Sequence, residues 1–303
     1  MGRIIAISAA IVFVAVMSIA IVIATIVGSP APNSSASVSP PGGSSSGNET
    51  SLPPGWLGLE QAAAARCPGL PWNVLAAIGS VESDSGRSQL PGVASGSNGA
   101  GAQGPFQFEP RTFAFYALVG PGGADPASPY DPVDAAFTAS AFLCANGGGH
   151  PQGLARAVFT YNHDASYVRT VLALAVAFGD DPTASRASIG ALRFASAHLG
   201  IPYLWGGNGP GGFDCSGLTR AAYAAVGITL PRVAQGQMNA GPLVGDIPVR
   251  PGDLVFFGTG ALGVDHVGLY LGSGMMIDAP HTGAVVRIDA AGWSDAVGIT
   301  RPG

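Results

Sequence analysis

Cys215 stands directly before Ser216 to Val226, a segment with helical patterning, and directly after Gly212-Phe-Asp. A cysteine at a helix N-terminus meets the positive end of the dipole and unpaired N–H groups, and both favour the nucleophilic thiolate. The same N–H groups suit an oxyanion hole. His266 begins a β-like run, and an imidazole beside the sulfur would complete an ion pair. A third group must then orient the ring. Asp278 lies across the Gly272-Ser-Gly turn from His266, so antiparallel pairing would bring its carboxyl alongside the imidazole. The same residues also fit a small buried thiol and an unrelated strand histidine, because cysteine is often a core residue.

Glu82 offers different chemistry. It ends the helix that begins at Pro71, where Val74, Leu75, Ile78 and Val81 recur at helical spacing. A carboxyl packed on that apolar face would hold its proton more tightly, as an acid for a glycosidic oxygen must. Asp84 is near in sequence, but side chains two apart on a helix do not face each other, which argues against a carboxylate pair. The bland reading is a solvated helix-end carboxylate. His150, His198 and His281 show no partner pattern and read as surface or packing residues; Trp56, Trp72 and Trp293 read as core. No metal-ligand spacing occurs, and no cofactor is expected.

The elements around these residues set their context. At 303 residues the chain has room for two ordinary domains. Its net charge is −5 and it has no basic stripe, so nucleic acid is not an expected partner. Ile4 to Val27 is apolar apart from two serines and a threonine, long enough for a membrane-spanning helix and longer than a usual signal core. Arg3 before it places the N-terminus in the cytoplasm and the rest outside. A long cleaved signal peptide is the second reading, and it also exports the chain. Residues 29–55 form a Ser/Pro/Gly linker. Residues 56–179 are helical in pattern, interrupted by a Gly-rich loop, Gly86 to Gly104, of a length that is usually functional. After a short polar joint, residues 186–303 show two helical segments and then β-like runs at Asp253 to Phe257, His266 to Leu271, Met275 to Asp278 and Val285 to Ile288. Helices followed by antiparallel strands indicate an α+β domain. Cys67, Cys144 and Cys215 make an odd count in an exported chain, which means one bridge and a free thiol, or intermolecular pairing. The economical assignment bridges Cys67 to Cys144, which flank one helical region.

Several ordered motifs carry a resemblance. Pro202-Tyr-Leu-Trp-Gly-Gly, Gly212-Phe-Asp-Cys-Ser-Gly-Leu, Leu230-Pro-Arg, Pro251-Gly-Asp-Leu-Val-Phe-Phe and His266-Val-Gly-Leu-Tyr-Leu-Gly are similar to the NlpC-type family of bacterial cell-wall cysteine peptidases. The resemblance implies a papain-like fold and cleavage of peptidoglycan stem peptides next to γ-linked D-glutamate. It makes Cys215 the nucleophile and His266 the base, and it places Tyr203, Asp214 and Ser216 around the stem's N-terminal L-Ala. Family members commonly carry a second histidine where Asp278 stands, which puts the third member of the triad in question. Residues 67–178 resemble the soluble lytic transglycosylase and goose-type lysozyme superfamily through Val81-Glu-Ser, Gly101-Ala-Gln-Gly-Pro-Phe-Gln-Phe, Asp131-Pro-Val-Asp-Ala, Leu143-Cys-Ala-Asn-Gly-Gly and Phe159-Thr-Tyr-Asn-His. There Glu82 takes the position of the single acid–base, supported by Gln107, Tyr161 and Asn162. The family's usual Met is Phe106 here, a change expected to affect packing more than chemistry.

The expected molecule is multidomain: an N-terminal transmembrane helix, an all-α lysozyme-like domain and an α+β papain-like domain. It is expected to be a bifunctional, membrane-anchored peptidoglycan hydrolase. The arrangement resembles wall-remodelling enzymes of Gram-positive bacteria, including those that serve conjugation machines; wall-remodelling or conjugation machinery is thus a partner the resemblance allows, and the sequence itself identifies none. The competing class is a catalytically idle scaffold that docks on peptidoglycan.

Overall fold

Apolar residues at helical spacing build the first part of the fold. A computed structural model of the chain describes residues 50–245, 247–258 and 263–302. The apolar segment Ile4 to Val27 and most of the linker lie outside them, and no helix among the described residues is long and apolar enough to cross a membrane. Helices α1 (Trp56–Ala64), α2 (Trp72–Ser83), α3 (Pro110–Tyr116), α4 (Pro132–Ala145), α5 (Pro151–Asn162) and α6 (Ala165–Asp180) follow one another before residue 185. Helix α2 buries Val74, Leu75 and Ile78 and packs against α6. Proline opens α3, α4 and α5, where its missing N–H is no loss. Helix α4 is capped by Asp131, which accepts from Val133 N at 2.8 Å. Asp134, fully buried, accepts from Gly120 N, Ala124 N and Ser128 N and so fastens the loop ahead of its own helix. Cys67 and Cys144 are bridged, with Cα atoms 5.6 Å apart, and tie the end of α1 to the end of α4.

The second part begins with α7 (Arg186–Ala197). A small hairpin of β1 (Asn208–Gly209) and β2 (Gly212–Phe213) follows, then α8 (Cys215–Ala224) and α9 (Ala234–Ala240). Strands β3 (Leu254–Gly258), β4 (Val264–Gly272), β5 (Met275–Asp278), β6 (Arg287–Ala290) and β7 (Ala296–Thr300) form an antiparallel sheet of order β6-β5-β4-β3-β7. From Val267 to Leu271 strand β4 is buried without alternation. Helices α6, α8 and α9 pack against it, and Val255, Tyr270 and Ala291 form a separate small cluster. A strand covered on both faces reads as a continuous apolar run rather than an alternating one. Helices α1, α3 and α9 and strand β7 are short and weakly patterned, and the sequence reading did not anticipate them.

The helical and sheet-bearing parts share one continuous hydrophobic core, running from α2 and α6 through α7 into α8 and the sheet. Polar contacts reinforce the joint. Arg186 on α7 pairs with Asp84 at the end of α2, Nε to Oδ2 at 2.9 Å, and Arg193 Nη1 donates to Ser80 O at 2.9 Å. Asp180 Oδ1 accepts from Ser273 N in the β4–β5 turn at 3.0 Å. Gly272 in that turn has φ of 121°, and an added Cβ there would sit 2.8 Å from the Asp180 Cβ.

Because Cys67 and Cys144 are 77 residues apart, their bridge removes a large share of unfolded-chain freedom. Replacing both with serine is expected to destabilise the helical part by about 2–5 kcal/mol. Chemical denaturation of the full chain measures the effect, and peptide mapping under non-reducing conditions should recover Cys215 unbridged.

Candidate functional site

The sulfur is set by the turn before α8. Leu204 N bonds Phe213 O at 2.9 Å and Asp214 N bonds Gly207 O at 3.0 Å, so the Tyr203-to-Gly207 segment folds over the start of the helix. Asp214 is the N-cap and accepts from Gly217 N at 2.7 Å. Gly217 is required there: a Cβ would lie 1.9 Å from Gly207 O. Asp214 takes the Gly217 N–H, so Cys215 and Ser216 supply the earlier first-turn donors expected of an oxyanion hole. Cys215 is a free, buried cysteine, 9% exposed.

His266 reaches the sulfur from β4, and its Nε2 lies 2.8 Å from Asp278 Oδ2 on the adjacent β5. The β4–β5 hairpin makes this possible by pairing Leu269 with Ile277. With Nε2–H donating to Asp278, Nδ1 is left for the sulfur. Burial works against a charge on the ring. Hydrogen bonds to Asp278 and Cys215, together with their negative charges, outweigh it and push His266 up to about 9. Asp278 is 1% exposed, and its Oδ1 has no hydrogen-bond partner among the described residues. The imidazolium, hydrogen-bonded to Oδ2, compensates that buried carboxylate, and the Arg287 charge on the neighbouring strand adds to it.

Tyr203, Asp214 and Ser216 line the cleft in which the sulfur lies, a cavity of about 780 Å³. Three further wall residues escaped the sequence reading. Arg232 grips Asp214 with both terminal nitrogens, at 3.0 and 2.6 Å. His281 is at the surface, as its lack of a partner pattern implied, and borders the cleft, and Trp205 stands 84% exposed at its edge. The Leu-Pro-Arg motif contained the signal for Arg232, but its partner depends on α9. There the buried Gln237 donates to Pro231 O and to Ser216 O, both at 2.9 Å, and so holds the arginine loop against the first turn of α8.

Glu82 lies in a separate cleft with Asn98, Gln107, Tyr161 and Asn162. Ser83 fixes the end of α2: its hydroxyl donates to Pro105 O at 2.6 Å and accepts from Gly86 N at 2.7 Å. The Gly-rich loop turns back through the Gln103–Phe108 bridge, which buries Phe106 parallel to Trp56 and leaves Gln107 facing the cleft at φ of 49°. Tyr161 OH donates to Phe106 O at 2.7 Å. Burial raises Glu82 to about 7, although a hydrogen bond from Tyr167 OH to its Oε1, 2.7 Å long, pulls the other way. Tyr167 is a site residue that the sequence reading did not single out; it stands on α6, eighty-five positions from its partner. A further groove, lined by Leu172, Val176, Leu271, Met275 and Ile288 together with Arg169 and Arg287, contains no nucleophile or acid–base pair.

The folded form holds the Glu82 proton more tightly than the unfolded chain. Its stabilising contribution is therefore complete below about pH 4.5 and lost as pH rises through about 7. Glu82→Gln is expected to stabilise the fold at pH 8 by about 1–3 kcal/mol and to change little at pH 4. Tyr167→Phe should move the midpoint of the wild-type pH dependence upward. Thermal unfolding across pH tests both; a Glu82→Gln difference independent of pH would show that the carboxyl is not desolvated.

Comparison with known proteins places part of this geometry. Residues 200–297 match the model of the NlpC/P60 family. Over 100 residues the chain is 47% identical to the Listeria innocua protein "Probable endopeptidase p60", covering 33% of this chain and 21% of that protein. Over 110 residues it is 42% identical to peptidoglycan endopeptidase RipB of Mycobacterium tuberculosis, covering 32% of this chain and 45% of that protein. The chain thus spans less than half the length of either relative. Among solved structures, the P60 domain of an antigen from M. avium subspecies paratuberculosis is 35% identical, with 38% of this chain and 94% of that one covered and a TM-score of 0.36. Residues 200–297, which carry Cys215, His266 and Asp278, thus form a domain of the NlpC/P60 type within this chain.

Proposed function

We propose that the chain is a bifunctional peptidoglycan hydrolase. Its NlpC/P60 domain cuts stem peptides next to γ-linked D-glutamate, and its helical part cuts the glycan strand. The observation that carries the first activity is the Cys215–His266–Asp278 alignment at the start of α8. In the peptidase step Sγ attacks the γ-carbonyl carbon of the D-glutamyl residue, and the first-turn N–H groups of α8 receive the developing oxyanion. His266 delivers its proton to the departing amine, which leaves a thioester on Cys215. Water, deprotonated by His266, then releases the acid and restores the thiol. Tyr203, Asp214 and Ser216 form the wall for the L-Ala that precedes the D-glutamyl residue.

The glycan activity rests on Glu82, a carboxyl that stays protonated near neutrality in its cleft. It protonates the glycosidic oxygen. The resulting carboxylate then accepts the proton of the muramyl 6-hydroxyl as that oxygen closes on the anomeric carbon, giving a 1,6-anhydro end. A muramidase would direct water to the same carbon instead. Gln107, Tyr161 and Asn162 support the sugar. The reading includes export, with the chain held at the cell membrane by Ile4 to Val27 or secreted after cleavage, and work on the wall alongside remodelling or conjugation machinery.

Cys215→Ala should eliminate release of the distal fragment from an L-Ala-γ-D-Glu-diamino-acid stem while sparing glycan cleavage. Glu82→Gln should do the reverse, read as loss of 1,6-anhydro muropeptides. Two inactive single mutants in both assays, against a wild type equally inactive, would favour an idle scaffold. Asp278 raises His266, so Asp278→Ala should bring the alkaline limb of peptide turnover down from near pH 9 by about one unit or more and slow turnover. Asp278→Asn should retain more turnover than Asp278→Ala. An unmoved limb would leave a Cys–His dyad.

A further inference from the structure

A groove of about 660 Å³ runs along the joint between the helical part and the edge of the sheet. Leu172 and Val176 of α6 stand on one side of it, and Leu271, Met275 and Ile288 of β4, β5 and β6 on the other. Small-molecule sites have this size and this make-up, mostly apolar with a few placed polar groups. Among the described residues, the charged groups that line it are Arg169 and Arg287. Arg287 is already matched, because its Nε donates to Asp289 Oδ2 at 2.7 Å. Arg169 is exposed and makes no hydrogen bond or ion pair with a described residue. Asp164 lies within reach of the Arg169 charge, but its carboxylate caps the start of α6, accepting from Ser166 N and Tyr167 N. Asp180, at the other end of α6, accepts from Ser273 N at 3.0 Å. Neither acid lines the groove.

Backbone partners are scarce here. Val286 N donates to Ile201 O and Val286 O accepts from Gly200 N, both at 2.8 Å. The edge strand β6 that follows carries Arg287 and Asp289, charges that discourage the addition of another strand. An extended peptide therefore finds little to pair with, whereas a hydrocarbon chain needs no hydrogen bonds. A cationic head would meet two guanidiniums, and an anionic one would give Arg169 the partner it lacks. We propose that this groove binds a long-chain carboxylate, with its acyl chain between α6 and the sheet and its carboxylate on Arg169. The two sides of the groove are the elements that carry Tyr167 and Asp278, so an occupant would fasten the supports of both chemical centres to one another.

The test photo-crosslinks the full chain with a diazirine-bearing dodecanoate and maps the labelled peptides. Label is expected on α6 and on β4 to β6. Unlabelled straight-chain carboxylates then compete, and each CH₂ added from octanoate to dodecanoate should improve competition about two- to fourfold. Decanoate should compete about two- to fivefold better than decanol, the scale of one exposed ion pair, and decyltrimethylammonium should compete worst. Arg169→Gln should remove the advantage of decanoate over decanol and leave decanol unchanged. Ile288→Glu, which puts an acid in the groove, should abolish labelling there. If that variant does not fold, the wild-type map and the head-group series still decide. Label confined to residues 4–27 or to other surfaces, no label at all, or equal competition by decanol and decanoate would overturn the proposal. So would a lysophospholipid that competes better than dodecanoate, since the occupant would then be a membrane lipid.

Discussion

Asp214 receives hydrogen bonds from the first turn of α8, from the loop before it and from the arginine beyond it. That convergence decides where Cys215 stands. The carboxylate caps the helix, so the helix starts at the cysteine; it also holds the Gly206 amide, so the preceding loop cannot swing away from the sulfur. Arg232 makes such a carboxylate affordable inside a partly closed cleft, because a charge removed from water must be paired. Gln237 secures the arginine loop, and Gln235, two residues earlier, accepts from Val264 N at 2.9 Å at the start of the strand that bears His266. Cys215 and His266 are thus tied to each other through α9 as well as through the core.

The two chemical centres use burial in opposite ways. At Glu82 burial acts almost unopposed, with only the Tyr167 hydroxyl favouring the anion, and the carboxyl keeps its proton. At His266 burial also disfavours charge, but Asp278 and Cys215 supply enough negative partners to reverse the outcome. One centre is therefore suited to giving a proton to a weakly basic oxygen, and the other to holding a proton beside sulfur. Both arrangements draw on folding stability, since Glu82 loses its stabilising contribution above neutral pH and Asp278 leaves a buried oxygen without a partner among the described residues.

The joint between the two parts places a constraint on the Glu82 centre. Asp84 ends α2 in a left-handed conformation, φ 55°, and its carboxylate bridges Arg87 and Arg186. Two residues earlier stands Glu82. The turn that presents Glu82 is therefore pinned by α7, an element of the following part, and the described residues cohere as one compact unit. The Gly-rich loop is pinned from the other side through Ser83 and Pro105.

Much of this was legible in the chain itself, because it is encoded by near neighbours. A cysteine following Gly-Phe-Asp at the start of an amphipathic run marks a capped helix N-terminus. The Gly-Ser-Gly turn between two apolar runs marks a hairpin, and the hairpin sets the distance from His266 to Asp278. Three cysteines in two separated regions admit few pairings, and the Cys67–Cys144 bridge is the economical one. Such features need only periodicity, turn chemistry and counting. Arg232 on Asp214, Tyr167 on Glu82, Arg186 on Asp84 and the presence of His281 and Trp205 at the Cys215 cleft could not be read that way. These contacts join positions far apart along the chain, and no local pattern records which distant side chain will arrive. The short elements α1, α3, α9 and β7 are similar: each takes its form from the surface on which it packs, so its own residues carry little of the signal. Sequence named the candidate side chains; packing of distant elements decided their charge, their partners and the shape of the space in front of them.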